Sequence, residues 1–215
     1  IKDDQIEYFQ QEILNWYKQN GRHFPWRNRS ATNYQRIISE VLLQRTKAET
    51  VAKFYPTFIK KYPSWSKLGQ ASEEELQKVL KPLGLYKQRA SRLYKLAQEL
   101  RKRKGRFPDK RSDIEEMSMM GHYITNAYET FVLKKPAPLL DVNMARVLER
   151  YFGPRRLADI RYDPYLQKLS KRIVDHHEHM KINWAILDLG ALICKARKPD
   201  CMRCQIRLFC KTFNM

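Results

Sequence analysis

The sequence predicts an all-α fold, and three observations support that prediction. Apolar residues recur at i, i+3 and i+4 along almost the whole chain, which is the spacing of an amphipathic helix. Strict alternation of apolar and polar residues, which is typical of a half-buried strand, is scarcely visible. Short segments containing proline or glycine separate the helical stretches and stop each of them. We therefore expect helices packed on helices.

The predicted helices follow one another along the chain with short turns between them. The first two have apolar stripes, formed by Ile6, Phe9, Ile13, Leu14 and Tyr17 and by Tyr34, Ile37, Ile38, Val41 and Leu42. The same spacing predicts further helices at 50–61, 73–80, 86–103, 122–133, 143–151, 164–179 and 183–193. On this pattern the three histidines of the segment His176–His179 lie on one helix, as surface residues. Asp188 lies in an apolar stretch and needs a partner if buried, for which we expect the region of Gly121 or the C-terminal loop.

The chain is strongly basic. Its 42 Lys and Arg residues against 23 Asp and Glu residues give a formal net charge of +19, which predicts a polyanionic partner. No apolar run approaches the ~20 residues that a transmembrane helix needs. The first residues contain no apolar region of a secretory signal, so we expect neither membrane insertion nor secretion.

The four cysteines lie close together near the end of the sequence, with the spacing C-x6-C-x2-C-x5-C. They are Cys194, Cys201, Cys204 and Cys210. Four thiolates in a compact loop suit a tetrahedral zinc ion or a [4Fe–4S] cluster. Structural zinc more often uses paired C-x2-C knuckles, and since only one such pair is present, the spacing favours the cluster. Two disulfides are the third alternative, which the lack of a secretory signal disfavours.

A second motif runs from Gly121 to Gly153. Gly121 opens a predicted helix, whose free N–H groups and positive dipole end can receive a backbone phosphate. Asp141 follows a proline-rich loop and immediately precedes another helix. Taken alone, Asp141 is an ordinary N-cap and Tyr123 a core aromatic residue.

A third motif combines Phe24-Pro25-Trp26-Arg27 with the segment Ser39–Thr46, which reads SEVLLQRT. Glu40 lies beside the apolar stripe of its helix, which by itself indicates a solvated carboxylate. Leu85 and Tyr86 follow a turn at Gly84, and either could be a core residue.

These motifs together resemble the helix-hairpin-helix DNA glycosylases of the endonuclease III superfamily, over residues 5–210. The cysteine spacing resembles the cluster loop of that family, and Asp141 follows Gly121 by twenty residues, as the family pattern expects. Within the superfamily the resemblance is to the Mig-type thymine-DNA mismatch glycosylases and the adenine DNA glycosylases. It implies one helical lobe at 24–135, with the hairpin at about 105–133, a second at 1–23 plus 136–215, and a [4Fe–4S] loop at 194–210.

The resemblance also implies a role for each site residue. Asp141 stabilises the positive charge that develops on the deoxyribose, or activates the attacking water, because a fixed carboxylate favours such a centre in a water-poor site. Glu40 protonates or hydrogen-bonds the departing base, and Tyr123 packs against it. The implied DNA contacts are Gln44, Arg45, Leu85, Tyr86, Gly121, His122 and Arg146. A wedge side chain among them enters the gap that base flipping leaves.

Tyr123 occupies the branch point between two reaction types. In the family, a lysine at this position forms a Schiff base, and a phenol cannot form that imine. We therefore expect a monofunctional glycosylase that removes thymine or uracil opposite guanine, leaving an abasic site for base excision repair. Removal of adenine opposite 8-oxoguanine or guanine, and a catalytically silent DNA-binding relative, are the alternatives.

The hairpin departs from the family pattern LPGVG, because this chain has Met117-Ser118-Met119-Met120-Gly121. In the family the hairpin presents backbone groups to a phosphate and to a monovalent cation. The methionines make the tight turn harder and put that cation in doubt. The expected partner is double-stranded DNA with a mismatched or damaged base. The protein is expected to be a monomer, associated with the nucleoid in a prokaryotic cytoplasm or located in a eukaryotic nucleus.

Overall fold

The computed structural model of the protein describes residues 1–214, and the all-α prediction is confirmed. Within these residues there are eleven α-helices and no strand. They are α1 (Asp3–Asn20), α2 (Asn33–Leu43), α3 (Ala48–Lys61), α4 (Trp65–Leu68), α5 (Glu73–Leu80), α6 (Tyr86–Lys102), α7 (Arg111–Glu116), α8 (His122–Phe131), α9 (Val142–Phe152), α10 (Pro164–Val174) and α11 (His179–Leu192). Among the described residues, none of the helices is both long and apolar enough to cross a bilayer.

The chain folds into two compact units. The first contains Ile1–Arg22 together with the described residues from Leu133 onward, and the second contains His23–Val132. Each unit has its own hydrophobic core. The Asp141 motif and the cysteines therefore belong to the first unit, whereas Glu40 and the hairpin belong to the second.

The second unit is built from helices α2 to α8 around an aromatic-rich core. Helix α2 begins with a capping box, in which Thr32 Oγ1 accepts a hydrogen bond from the Gln35 N–H at 3.2 Å and Gln35 Oε1 accepts one from the Thr32 N–H at 2.9 Å. Helix α2 packs against α3 and α8, and α5 packs against α6. The two shortest helices, α4 and α7, were not predicted, because four and six residues are too few to show a helical period.

In the first unit, the prediction of one helix over 164–179 was wrong. Helix α10 ends at Val174, and α11 begins at His179. The chain turns between them because His176 N–H donates to the Val174 carbonyl at 2.8 Å and Glu178 N–H donates to His176 Nδ1 at 3.0 Å. The segment 175–179 contains neither proline nor glycine, so the sequence shows no stop signal at this turn.

Asp188 is fully buried in α11, and a distant arginine is one of its partners. Its carboxylate accepts hydrogen bonds from the main-chain N–H of Arg22 at 2.8 Å and from Arg22 Nε at 2.7 Å. This pair connects α11 to the segment that follows α1. A buried carboxylate needs such a charged donor, and the sequence does not show which distant residue supplies it.

Asn183, also fully buried in α11, holds the proline-rich loop that precedes Asp141. Its Oδ1 accepts from the Leu139 N–H at 2.7 Å, and its Nδ2 donates to the carbonyls of Ala137 at 3.1 Å and His179 at 3.0 Å. One side-chain amide thus satisfies two polar groups of a loop that has no regular structure of its own. These hydrogen bonds hold the loop in one conformation, and thereby fix the position of the residues that lead into α9.

Replacing Asn183 by Ala should therefore destabilise the first unit. We expect Asn183→Ala to lower the free energy of unfolding by about 2–4 kcal/mol, because it leaves buried N–H and C=O groups of the loop without partners. Urea denaturation followed by circular dichroism measures this. Asn20→Ala is the matched control, since that exposed amide donates one hydrogen bond, to the Trp16 carbonyl, and should cost less than about 1 kcal/mol. Equal losses in the two variants would contradict the proposed bracing of the loop.

Candidate active site and cysteine loop

Glu40 and Tyr123 meet in the second unit, where α2 packs against α8. Glu40 is 4% exposed, and the Tyr123 hydroxyl donates to its Oε2 at 3.2 Å. The sequence pattern had indicated a solvated glutamate at the edge of the α2 stripe. Packing of α8 on this face buries it instead, so that a carboxyl group and a phenol share one partly enclosed site.

The helix-hairpin-helix turn between α7 and α8 forms in spite of its methionines. The Met120 N–H donates to the Met117 carbonyl at 3.0 Å, and Met119 takes the left-handed conformation with φ of +67°. That conformation costs a non-glycine residue roughly 1–2 kcal/mol. The side chains of Met117 and Met120 are buried in the core, and this packing accounts for two of the three methionines.

The hairpin leads directly into the start of α8. Gly121 is the N-cap of this helix, and both Gly121 and His122 are exposed. Gln44, just beyond the end of α2, donates from Nε2 to the Met119 carbonyl at 3.4 Å. The structure therefore brings three of the predicted DNA-contact residues to the same side of the second unit as the hairpin.

Two of the three remaining predicted DNA-contact residues of this unit are exposed to solvent. Arg45 is exposed and has φ of +57°, and Leu85 is 57% exposed and has φ of +48°. Left-handed backbone at two non-glycine residues, one of them apolar and exposed, is strain that often marks a functional loop. Tyr86 is half-buried and packs against the core, so it is the less accessible member of this pair.

Asp141 is the N-cap of α9 in the first unit. Its Oδ1 accepts from the main-chain N–H groups of Asn143 and Met144, each at 2.8 Å, and its Oδ2 accepts from Asn143 Nδ2 at 2.8 Å. Burial raises the pKa of Asp141, while these hydrogen bonds and the nearby Arg146 partly offset that effect. The three donors use part of the accepting capacity of the carboxylate, which has about four lone-pair sites. Asp141 can therefore cap the helix and still have accepting capacity for a further partner.

A series of polar side chains along α9 connects Asp141 to the cysteine loop. Asn143 Oδ1 accepts from Arg146 Nη2 at 3.0 Å, and the same guanidinium donates to the carbonyls of Gly190 and Cys194, each at 2.8 Å. One turn later, Arg150 donates to the Lys195 carbonyl at 2.7 Å and to the Cys194 sulfur at 3.4 Å. Arg146 thus makes its described contacts within the unit, and its contact with DNA stays a prediction.

The four cysteines surround a single cavity of about 40 Å³. None of the four forms a disulfide, which removes that alternative. Burial raises the pKa of Cys204 to about 11, although the Ile206 N–H acts in the opposite direction. Among the described residues, no group of three or more potential ligand side chains converges on one ion position. A free thiol at Cys204 is therefore neutral, whereas the charge of a bound metal makes coordinating thiols ionise.

Comparison with known proteins agrees with this arrangement. The family model of the HhH-GPD superfamily base excision DNA repair proteins matches residues 38–174, which is more than half of the chain. The chain belongs to this superfamily. The sequence-based assignment to helix-hairpin-helix DNA repair proteins is thereby confirmed.

Individual relatives cover nearly all of this HhH-GPD protein. The thymine-DNA glycosylase of Aeropyrum pernix is 34% identical, over 97% of this chain and 96% of its own length. The adenine DNA glycosylase of Buchnera aphidicola subsp. Acyrthosiphon pisum is also 34% identical, over 94% of this chain but 58% of its own length. Among solved structures, a thermostable thymine-DNA glycosylase superposes with a TM-score of 0.89 at 31% identity, covering 98% of this chain and 97% of that one.

Sequence reasoning missed Arg89, which organises the exposed end of α2 in this HhH-GPD protein. Its guanidinium is buried and donates to the carbonyls of Leu42 at 3.1 Å and Gln44 at 2.9 Å, and to Thr46 Oγ1 at 2.9 Å. It thereby satisfies carbonyls that the helix end leaves without partners. No local signal distinguishes Arg89 from the other basic residues of α6. Asn143 and Arg150 were also missed, because no local signal distinguishes them from the other polar residues of α9.

The Asn143 side chain should control the ionisation of Asp141. We expect Asn143→Ala to raise the pKa of Asp141 further, because it removes a hydrogen bond to the ionised carboxylate. Titration of the Asp141 carboxyl carbon by 13C NMR measures the change. Val142→Ala, at the adjacent exposed position, is the control and should leave the titration where it is. Superimposable curves for Asn143→Ala and the parent protein would show that the amide has no such effect.

Proposed function

We propose that this chain is a monofunctional DNA glycosylase that flips thymine or uracil out of a mismatch with guanine and hydrolyses its N-glycosidic bond. The observation that carries this proposal is the pair formed by Tyr123 and the buried Glu40. By the family resemblance, Tyr123 stands at the position of the Schiff-base lysine. The name of the Aeropyrum pernix relative, a thymine-DNA glycosylase, supports the choice of base. The high positive charge supports double-stranded DNA as the partner. We propose that the protein binds it as a monomer.

In the proposed reaction, Asp141 provides the fixed negative charge. As the base departs, positive charge develops on the deoxyribose, and a carboxylate held rigidly by three hydrogen bonds stabilises that charge without having to reorganise. The same carboxylate can instead accept a proton from the attacking water. Either role requires the ionised form, which the N–H donors at the start of α9 favour and burial opposes.

Glu40 and Tyr123 act on the base in this proposal. The Glu40 carboxyl group donates a proton or a hydrogen bond to the departing base, and the Tyr123 ring packs against its face. The phenol O–H in contact with Glu40 Oε2 fixes the orientation of that carboxyl group. Because a phenol cannot form an imine with the opened sugar, the reaction ends at the abasic site.

The exposed residues of the second unit bind the DNA around the flipped nucleotide. Gln44 and Leu85 are the proposed wedge residues, since Leu85 is an exposed apolar side chain and the long polar side chain of Gln44 lies beside the hairpin. Gly121 and the N–H groups that begin α8 are proposed to bind a backbone phosphate, with His122 beside them. Arg45, Tyr86 and Arg146 complete the proposed contacts. A monovalent cation at the hairpin is not included in the proposal.

We further propose that the four cysteines hold a [4Fe–4S] cluster. The residues fit this group, because four thiols line one cavity and hydrogen-bond donors from Arg150 and the main chain face their sulfurs. When bound, the cluster supplies a structural crosslink among Cys194, Cys201, Cys204 and Cys210. The basic side chains of this loop are thereby held in place for phosphate contacts, and the bond cleavage itself requires no redox step.

Single-turnover kinetics on matched duplexes test the activity. We expect excision from T·G and U·G duplexes, with little from A·G or A·8-oxoguanine, and a rate for Asp141→Asn lower by about 100- to 1000-fold. The rate should fall as the pH drops through the raised pKa of Asp141, because protonation removes the required charge. Asp159→Asn is the control, since that carboxylate is exposed and pairs with Arg161 at the surface.

Each alternative has its own outcome in this assay. Excision confined to the adenine duplexes would identify an adenine glycosylase instead. Mismatch binding without any base release beyond the Asp141→Asn level would identify a catalytically silent relative. We also expect that borohydride traps no covalent adduct with DNA, and a trapped adduct would contradict the monofunctional assignment.

Metal analysis tests the cofactor. Protein purified without oxygen should contain about four iron and four sulfide ions per chain and show a brown absorbance band. Cys201→Ser should lose most of the iron, whereas Met202→Ser, at the adjacent exposed position, should retain it. One zinc ion per chain without sulfide would replace the cluster by a tetrahedral zinc site.

A further inference from the structure

The hydroxyl of Tyr151 is a buried polar group that its own unit leaves unsatisfied. Tyr151 lies on α9 and is 3% exposed, and its ring packs edge-on against Phe9 at 4.9 Å. Among residues 1–214, no hydrogen-bond partner lies within reach of its hydroxyl oxygen. Buried hydroxyl groups in folded proteins are almost always hydrogen-bonded, so this one calls for a partner.

Tyr151 lines the same cavity as the four cysteines. The thiols of Cys204 and Cys210 are close enough to its hydroxyl to interact with it electrostatically. Most of the other cavity wall is apolar, with Val147, Leu189 and Ile206 as examples. A phenol that keeps its proton is therefore one of few donors available inside this space.

Donors already face individual cysteine sulfurs from other directions. Arg150 Nη1 lies 3.4 Å from the Cys194 sulfur, and main-chain N–H groups of Ile206 and Thr212 face Cys204 and Cys210. The main-chain donors belong to the loop itself, whereas Arg150 reaches its sulfur from α9. Tyr151 also lies on α9, but its hydroxyl has no hydrogen-bond partner among the described residues.

We propose that the Tyr151 hydroxyl donates a hydrogen bond to a sulfur of the cluster that occupies this cavity. The inference rests on the proposed [4Fe–4S] cofactor and assigns a residue that adjusts its electronic properties. A hydrogen bond to a cluster sulfur stabilises the more negative, reduced state more than the oxidised state, and so raises the reduction potential. The same bond satisfies the hydroxyl that the protein otherwise leaves buried without a partner.

Voltammetry of the full chain on an electrode tests this proposal. In Tyr151→Phe we expect the ratio of reduced to oxidised cluster at a fixed potential to fall about tenfold, which is a negative shift of about 59 mV for a one-electron couple. Tyr165→Phe is the matched control, because Tyr165 also packs in the core of the first unit but does not line the cavity. Its potential should equal that of the parent protein.

Incorporation of 3-fluorotyrosine at position 151 separates hydrogen bonding from packing. The fluorinated phenol keeps the shape of the residue and is a stronger donor, so the potential should shift in the positive direction. Circular dichroism and the iron content per chain show that fold and cluster are retained. If Tyr151→Phe loses its cluster during purification, the fluorotyrosine protein alone decides the question.

The outcomes distinguish this inference from the proposed cofactor. A parent protein without iron and sulfide would overturn both. An iron–sulfur cluster whose potential is the same in Tyr151→Phe, the fluorotyrosine protein and Tyr165→Phe would overturn the role of Tyr151 alone, and the assignment of the cysteines would stand.

Discussion

The first unit depends on the hydrogen bonds that two arginines of α9 donate to carbonyls in the last turn of α11 and in the segment that follows it. A helix leaves its last carbonyls without intrahelical partners. Arg146 donates to the Gly190 carbonyl in that last turn and to the Cys194 carbonyl just beyond it, and Arg150 donates to the carbonyls of Lys195 and Ala196 in the cysteine loop. The two guanidinium groups thereby fix where α11 stops and where the cysteine loop begins.

The same helix begins with Asp141, so the carboxylate and the cysteine loop are parts of one hydrogen-bonded structure. Asn143 is the connection, because its amide donates to Asp141 and accepts from Arg146. An amide with its oxygen committed to an arginine can present only its N–H group to the carboxylate. The orientation of Asp141 therefore depends on contacts that extend to Cys194. The cysteine loop and the Asp141 carboxylate are thus coupled through this route without touching each other.

In the second unit, too, a buried arginine donates hydrogen bonds to carbonyls at the end of a helix. Arg89 on α6 donates to carbonyls at the end of α2, where a glycine in a left-handed C-cap is the more common solution. A buried cation at the negative end of a helix dipole is also electrostatically favourable. This arrangement leaves Gln44 and Arg45 projecting beyond the end of α2. The backbone is left-handed at Arg45, next to these hydrogen bonds, and at Met119, between the buried side chains of Met117 and Met120. In both places the surrounding contacts offset the cost of that conformation.

Local sequence determined most of the longer helices, the N-cap at Asp141 and the grouping of the four cysteines, because periodicity, capping and spacing are properties of neighbouring residues. The family could also be recognised from these patterns. Only the tertiary structure decided that Glu40 is buried beneath α8, and that Asp188 pairs with Arg22, 166 residues away along the chain. It likewise decided which of the many arginines satisfy carbonyls, and that Tyr151 lines the cysteine cavity. Such pairings depend on how helices pack, and a one-dimensional pattern carries no record of which distant donor meets which buried acceptor.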